Sequence, residues 1–396
     1  MVAGAAARRA RPGSLTPRER VRLTLNHQEP DRVPIDLDGW ACYFTEGAYR
    51  RLTAHFGRDE QPSVNEWFLV HPASEETLRA LRVDFRRIDP GPPDGFRPRS
   101  FPDGSWSDEW GIRKRPIGHP CASLGCEAFY AEMTHFPLAD ATIDDLERYP
   151  WPDPADPGRY RGLAGKARHL HAATDFALVA SAISMGPFEQ AQWLRGPERF
   201  LMDLLLDREF ALRLLDKIVD FQLRVLDRFL QAVGPYVLMV ETSDDLGMQS
   251  GPLISPQLYR EVIQPCHRRI NRLIRERTEA RVFLHCCGSI AALVEDLIDA
   301  GFEVINPVQP RACDMDRAAL KSRHGQRIVF HGGVDAQWVL PYGKPEDVRR
   351  EVSECMATLG RGGGYILAPA HNLQDDVPPE NVLAMIEAAT SLAPLS

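Results

Sequence analysis

Eight short runs rich in apolar and β-branched residues, most of them ending in polar side chains, are spread along this chain, over residues 32–37, 84–89, 177–183, 236–242, 280–285, 302–308, 327–332 and 365–369. The last five alternate with amphipathic helical stretches, among them residues 256–277, 291–300, 345–359 and 379–392. Strand followed by helix, repeated, implies a parallel sheet with helices on its outer face. Eight such strands are the number that closes a (β/α)8 barrel, and no glycine-rich dinucleotide fingerprint follows the first run. The fold expected is therefore α/β, a (β/α)8 TIM barrel.

Two additions decorate it. Thr16-Pro17-Arg18-Glu19 offers an N-cap, a proline at the first helical position and an acid at the third, so a helical extension should run through Arg20 to Leu25 before the first strand. Between the second and third runs lies an insertion over about residues 100–160. In it, 105–117 and 128–138 read as an antiparallel ribbon that caps one end of the barrel. Residues 150–157 hold four prolines, a stiff connection too short to link independent domains. Residues 15–396 are read as a single barrel domain, preceded by a disordered basic tail over 1–14, which lacks the apolar stretch of a signal peptide.

Composition narrows the function. No window approaches the roughly 18 apolar residues of a membrane span, and a net charge of −8 with arginines interleaved among acids argues against nucleic acid. Eight irregularly spaced cysteines, two of them adjacent, suit a reducing, cytoplasmic setting better than a disulfide framework. A homodimer through helical faces would be ordinary for a barrel, though nothing in the sequence locates an interface.

Reactive groups in a parallel barrel stand at the carboxyl ends of the strands. Here those positions hold Asp36 and Asp38, Asp89, Ser184, Glu241 with Asp244 and Asp245, His285 with Cys287, Asn306 with Gln309, His331, and His371 with Asn372. Residues two apart on extended backbone point the same way, so His285 and Cys287 can grip one ion while Cys286 faces away. A thiolate and an imidazole suit zinc; His371, from the eighth run, would complete an open three-ligand site, and Glu241 is a candidate fourth ligand that substrate could displace. Packing remains the ordinary role of a buried cysteine, and His331 and His371 could be hydrogen-bonded barrel-mouth residues. Asp244 and Asp245 could cap the following helix or orient a substrate.

Several motifs together resemble the uroporphyrinogen decarboxylase-like superfamily, over nearly the whole chain from Leu15 to about Leu392. They are the opening helix Thr16-Pro17-Arg18-Glu19-Arg20-Val21 with Glu29-Pro30-Asp31-Arg32-Val33-Pro34, then Gly186-Pro187-Phe188, Leu194-Arg195-Gly196, Asp244-Asp245-Leu246-Gly247, Ser255-Pro256 with Tyr259-Arg260, and Pro369-Ala370-His371-Asn372-Leu373-Gln374. That superfamily includes tetrapyrrole decarboxylases and zinc-dependent methyltransferases that work with a corrinoid protein. The decarboxylases resemble one another in an arginine-bearing loop after the first strand. Here Asp36-Leu37-Asp38-Gly39-Trp40 carries acids, with no arginine until Arg50. His285-x-Cys287-Gly288 is similar to the zinc pair of the methyltransferase branch, whose third ligand is usually a cysteine where this chain has His371.

The resemblance implies methyl transfer between a corrinoid carried by a partner protein and a small O-, S- or N-methyl substrate or acceptor, in a demethylation-type system. Glu241, Asp244 and His331 are the candidates for orienting substrate or moving its proton. Asp36, Asp89, Asn306, Gln309 and Asn372 are the candidates for binding it. The corrinoid is expected on the partner, because the chain has no Asp-x-His-x-x-Gly cobalt-ligand pattern. The alternatives are a metal-free decarboxylase or lyase, in which Asp36 and Asp89 would matter more than Cys287, and a non-catalytic tetrapyrrole- or corrinoid-binding barrel.

Overall fold

The computed structural model describes residues 15–39, 41–60, 69–121 and 124–391; the tail expected over 1–14, and Trp40, lie outside them. Seven parallel strands form one sheet. They are β1 (Phe85–Ile88), β2 (Ala177–Ala180), β3 (Met239–Ser243), β4 (Arg281–His285), β5 (Val304–Asn306), β6 (Val329–Val334) and β7 (Tyr365–Pro369), hydrogen-bonded in sequence order. They match the second to eighth expected runs. Their side chains are almost all buried, as both faces of a helix-covered parallel sheet must be.

The first run is reduced to a single parallel bridge, Ile35 to Leu367 of β7. The Asp36 N–H donates to Leu367 O, and the Asp84 N–H, just before β1, donates to Ile35 O, so this segment fills the gap between β7 and β1 and completes the ring. The ladder is short for a chemical reason. Pro34 has no N–H to give, and the Ile35 N–H is taken by the Asp84 carboxylate at 2.8 Å. β5 is likewise shorter than the run that announced it, because Pro307 follows Asn306.

The N-terminal helix α1 (Pro17–Leu25) has the expected capping box, with Thr16 and Glu19 satisfying each other's backbone N–H groups. Within the insertion, strands Arg113–Cys121 and Cys126–His135 pair antiparallel in a ribbon whose first strand starts and ends later than expected and whose second starts and ends slightly earlier, so that the connecting loop is shorter. Pro120 falls in the expected loop, but beyond Lys114 only one edge of this strand is paired, which lets a strand tolerate proline.

Two anchors hold the insertion to the barrel. The buried Trp110 packs edge-on against Phe221 of the long helix α3 (Arg208–Val233), ring centroids 4.7 Å apart. Arg195, the last residue of α2 (Pro187–Arg195), pairs with Asp203 at 2.7 Å and donates to the carbonyls of Leu138 and Ala141. Among the described residues no helix is long and apolar enough to cross a membrane, and Cys42, Cys266, Cys286, Cys287, Cys313 and Cys355 are free thiols.

Candidate metal centre

β4 delivers His285 and the residues after it to the carboxyl end of the barrel. The Cys286 side chain is buried and its sulfur accepts the Leu246 N–H at 3.2 Å. Cys287 turns the other way, its sulfur 3.3 Å from His285 Nε2. Two local devices hold this turn. Gly288 has φ +81°, and a Cβ there would meet the Gly247 backbone at 2.6 Å, so only glycine fits. The Asp245 carboxylate accepts the Cys287 N–H at 2.8 Å.

His371, just past β7, closes the group. One ligand atom from each of His285, Cys287 and His371 lies within 4.8 Å of the others. Burial, with a smaller contribution from His285, holds the His371 imidazolium pKa down at about 3, so the ring is neutral at pH 7 with a lone pair to offer. Burial, together with Asp245 and Cys286, pushes the Cys287 thiol well up, so a coordinating cation is what would make it a thiolate. One sulfur and two imidazole nitrogens fit zinc better than magnesium or calcium, which take oxygen.

The floor beneath His285 is a continuous polar chain. Arg87, pointing inward from β1, pairs with Asp36 at 2.9 Å and with Glu241 at 2.6 Å, all three buried. His331 Nε2 meets Asp36 at 2.9 Å, and His331 Nδ1 meets the Asn306 amide nitrogen at 2.8 Å. The Asn306 amide oxygen then meets His285 Nδ1. Burial alone would raise the Asp36 carboxyl, but the Arg87 charge and the His331 donation outweigh it and hold the group well below the usual carboxylate range.

An anionic Asp36 makes His331 Nε2 a donor. His331 Nδ1 then accepts from the Asn306 NH2, and the Asn306 oxygen accepts from His285 Nδ1–H. His285 is left with its Nε2 lone pair directed at the Cys287 side. Replacing Asn306 with leucine should free that ring and weaken zinc binding about 10–100-fold, as loss of such supporting contacts does elsewhere. Competition with a chromophoric chelator would measure it, and unchanged affinity would show that Asn306 does not orient the ring.

The other candidate residues distribute unevenly. Gln309 and Asn372 line the same cavity as His285, Cys287 and His371; Gln309 accepts the Gly288 N–H, and Asn372 accepts the Tyr43 N–H and donates to Tyr130 Oη. Glu241, considered as a fourth ligand, instead pairs with Arg87, and Asp36, Asn306 and His331 support the floor below the cavity. Asp244 accepts the N–H groups of Phe188 and Glu189 at the start of α2 and meets His267 at 2.8 Å, a capping role. Asp89 is exposed and does not line the cavity.

Residues not singled out from the sequence also face it. Glu189, next after the Gly186-Pro187-Phe188 motif, stands beside Asp245 and Ser243; burial and those two aspartates, Asp245 and Asp244, raise its carboxyl well above the usual range. His119, Phe129, Tyr130 and Glu132 come from the ribbon, which therefore walls the site. The cavity measures about 520 Å3 and opens to solvent.

The sequence profile of the Uroporphyrinogen decarboxylase (URO-D) family matches residues 117–392. The chain belongs to that family. Relatives of two kinds share it. A methylated-thiol–coenzyme M methyltransferase of Methanosarcina mazei is 25% identical over 268 residues, 67% of this chain and 68% of that protein. A uroporphyrinogen decarboxylase of Pseudoalteromonas atlantica is 27% identical over 273 residues, 67% and 73% of the two chains. For the decarboxylase of Psychromonas ingrahamii the match is 27% identical over 185 residues and spans about half of each protein, 46% of this chain and 48% of that one. In structure, a methyltransferase from Methanosarcina mazei superposes with TM-score 0.64 at 17% identity, covering 96% of this chain and 99% of that one, which establishes a shared fold.

Proposed function

We propose that this URO-D family protein moves a methyl group between a corrinoid carried by a partner protein and the oxygen, sulfur or nitrogen of a small substrate, with zinc held by His285, Cys287 and His371. The observation that carries the reading is the convergence of those three donors, from two strand ends, on one solvent-open cavity. A methylated-thiol–coenzyme M methyltransferase among the relatives supports it. Zinc bound there would act as a Lewis acid, lowering the pKa of a coordinated thiol or hydroxyl, or stabilising the anion left when a methyl ether or thioether is demethylated. A donor set with one sulfur and two imidazoles leaves the ion more electrophilic than two sulfurs and one imidazole would.

The chain's own residues have separable tasks. Asp245 fixes the Cys287 backbone, and Asn306 fixes the His285 ring. Glu189, its carboxyl raised well above the usual range by burial and the neighbouring Asp245, accepts a hydrogen bond from Ser243 at the cavity wall and is placed to exchange a proton with a bound substrate. Asn372 and Tyr130 are hydrogen-bonded to each other at the cavity wall and set the position of a small substrate. The opposing decarboxylase reading would want cationic side chains in the cavity, and Arg87 lies below the floor, already engaged by Asp36 and Glu241.

The test uses free methylcobalamin as a stand-in for the partner's corrinoid and a simple thiol as acceptor, followed by the loss of the methyl–cobalt absorbance. Metal removal with a chelator should lower the rate by more than about 100-fold and added zinc should restore it. A rate indifferent to chelation would sink the proposal.

A further inference from the structure

The cavity that reaches His285, Cys287 and His371 has sixteen lining residues, and none of them is lysine or arginine. Its ionisable groups other than the three metal-site side chains are Glu132, Glu189, Asp245 and one histidine, His119, which meets Glu132 at 3.1 Å. Three cations close to it are committed elsewhere: Lys114 of the ribbon is buried and ion-paired with Asp108 at 3.6 Å, although its charge also reaches Glu189. Arg87 is buried under the floor between Asp36 and Glu241, and Arg311 lies 3.4 Å from Asp335, with its guanidinium 5.8 Å from the centre of the Trp338 ring. The neutral part of the wall is made of amides, such as Gln309, Gln337 and Gln374, and of the Phe129 ring.

A small molecule that meets the metal with one end must lay its other end along this wall. An anionic end would give up water and face acidic side chains, with no guanidinium or ammonium among the described lining residues to replace the lost hydration, which is costly in a part-buried site. A hydroxyl or amide is matched by the glutamines, and an ammonium is matched by the carboxylates and by the aromatic face. From this geometry we infer that the small substrate of this site bears no anionic group at the end remote from the metal: it is an uncharged or cationic methyl compound or acceptor. The inference rests on the metal-activated reading above and assigns the substrate class within it.

Three two-carbon thiols test it, alike except at the far end: 2-aminoethanethiol, 2-mercaptoethanol and 2-mercaptoethanesulfonate. Each is titrated into cobalt(II)-loaded full-length protein at physiological ionic strength, and binding is read from the sulfur-to-cobalt charge-transfer intensity added to that of Cys287. The amine and the alcohol should bind at least about tenfold more tightly than the sulfonate. Gln337→Arg, which adds a cation to the wall, should narrow that gap in the sulfonate's favour. A sulfonate that binds as tightly as the alcohol, or a Gln337→Arg variant with an unchanged ratio, overturns the inference while leaving metal activation standing. Protein that holds cobalt yet gains no charge-transfer intensity with any of the thiols overturns both.

Discussion

Protein purified without a metal-affinity tag should carry about one zinc per chain, and Cys287→Ala should carry less than about a tenth of that under the same buffer. The thiolate is the strongest of the three donors and the one whose charge offsets the ion. Its loss leaves two neutral imidazoles, a pair that holds zinc weakly without a third ligand. His371→Ala removes the contribution of a different strand end, after β7, and should lower occupancy as well. Methyl transfer should fall by about 10^3 or more in Cys287→Ala. Inductively coupled plasma mass spectrometry on wild type and both variants, with circular dichroism to show that each is folded, measures this. Folded wild type without zinc, or variants that retain it, would remove the metal centre and bring the decarboxylase and binding-protein readings forward.

The largest loss of stability is expected from Arg87→Met. Among the described residues Arg87 is the hydrogen-bonding partner of the Glu241 carboxylate and the main counter-charge of Asp36, and all three side chains are buried. Removing one member of such a group strands two carboxylates in the barrel interior, at a cost of about 3–5 kcal/mol. Urea unfolding of the full chain reads this directly. Arg87→Met combined with Asp36→Asn and Glu241→Gln should recover most of the loss, because neutral groups do not need the guanidinium. A single variant as stable as wild type would mean that water or another group already solvates the pair. The sign with pH is also determined. Asp36 has its carboxyl held down in the fold, so its share of stability is present above its unfolded pKa of about 3.9 and disappears as the pH falls through the lower, folded value. Arg87→Met should therefore flatten the acid side of the stability profile.

Legibility from sequence was highest where local pattern carries the information. The alternation of buried strands with amphipathic helices placed seven of the eight barrel positions within a few residues, and the capping box placed the first helix. The period-2 geometry of a strand end put His285 and Cys287 on one side and Cys286 on the other, as the structure has them. Where single prolines and carboxylates interrupt a pattern the boundaries shifted: Pro34 and Asp84 cut the first strand to one bridge, and Pro120 hid the outer end of the ribbon.

Roles that depend on residues far apart in the chain could not be read in this way. Whether Glu241 faces a metal or an arginine depends on Arg87, 154 positions away. His331 supports the site by way of Asp36, 295 positions away. Tyr130 reaches the cavity only because the ribbon folds back over the barrel mouth, where it meets Asn372. Backbone propensity and hydrophobic period act over a few residues and so are written locally in the chain, which is why the barrel and the His-x-Cys pair were visible in the residue order. The charge balance beneath the site and the carboxylate-rich wall above it depend on which side chains closure of the ring brings within about 3 Å of one another, the range of a hydrogen bond. Only the closed barrel decides that.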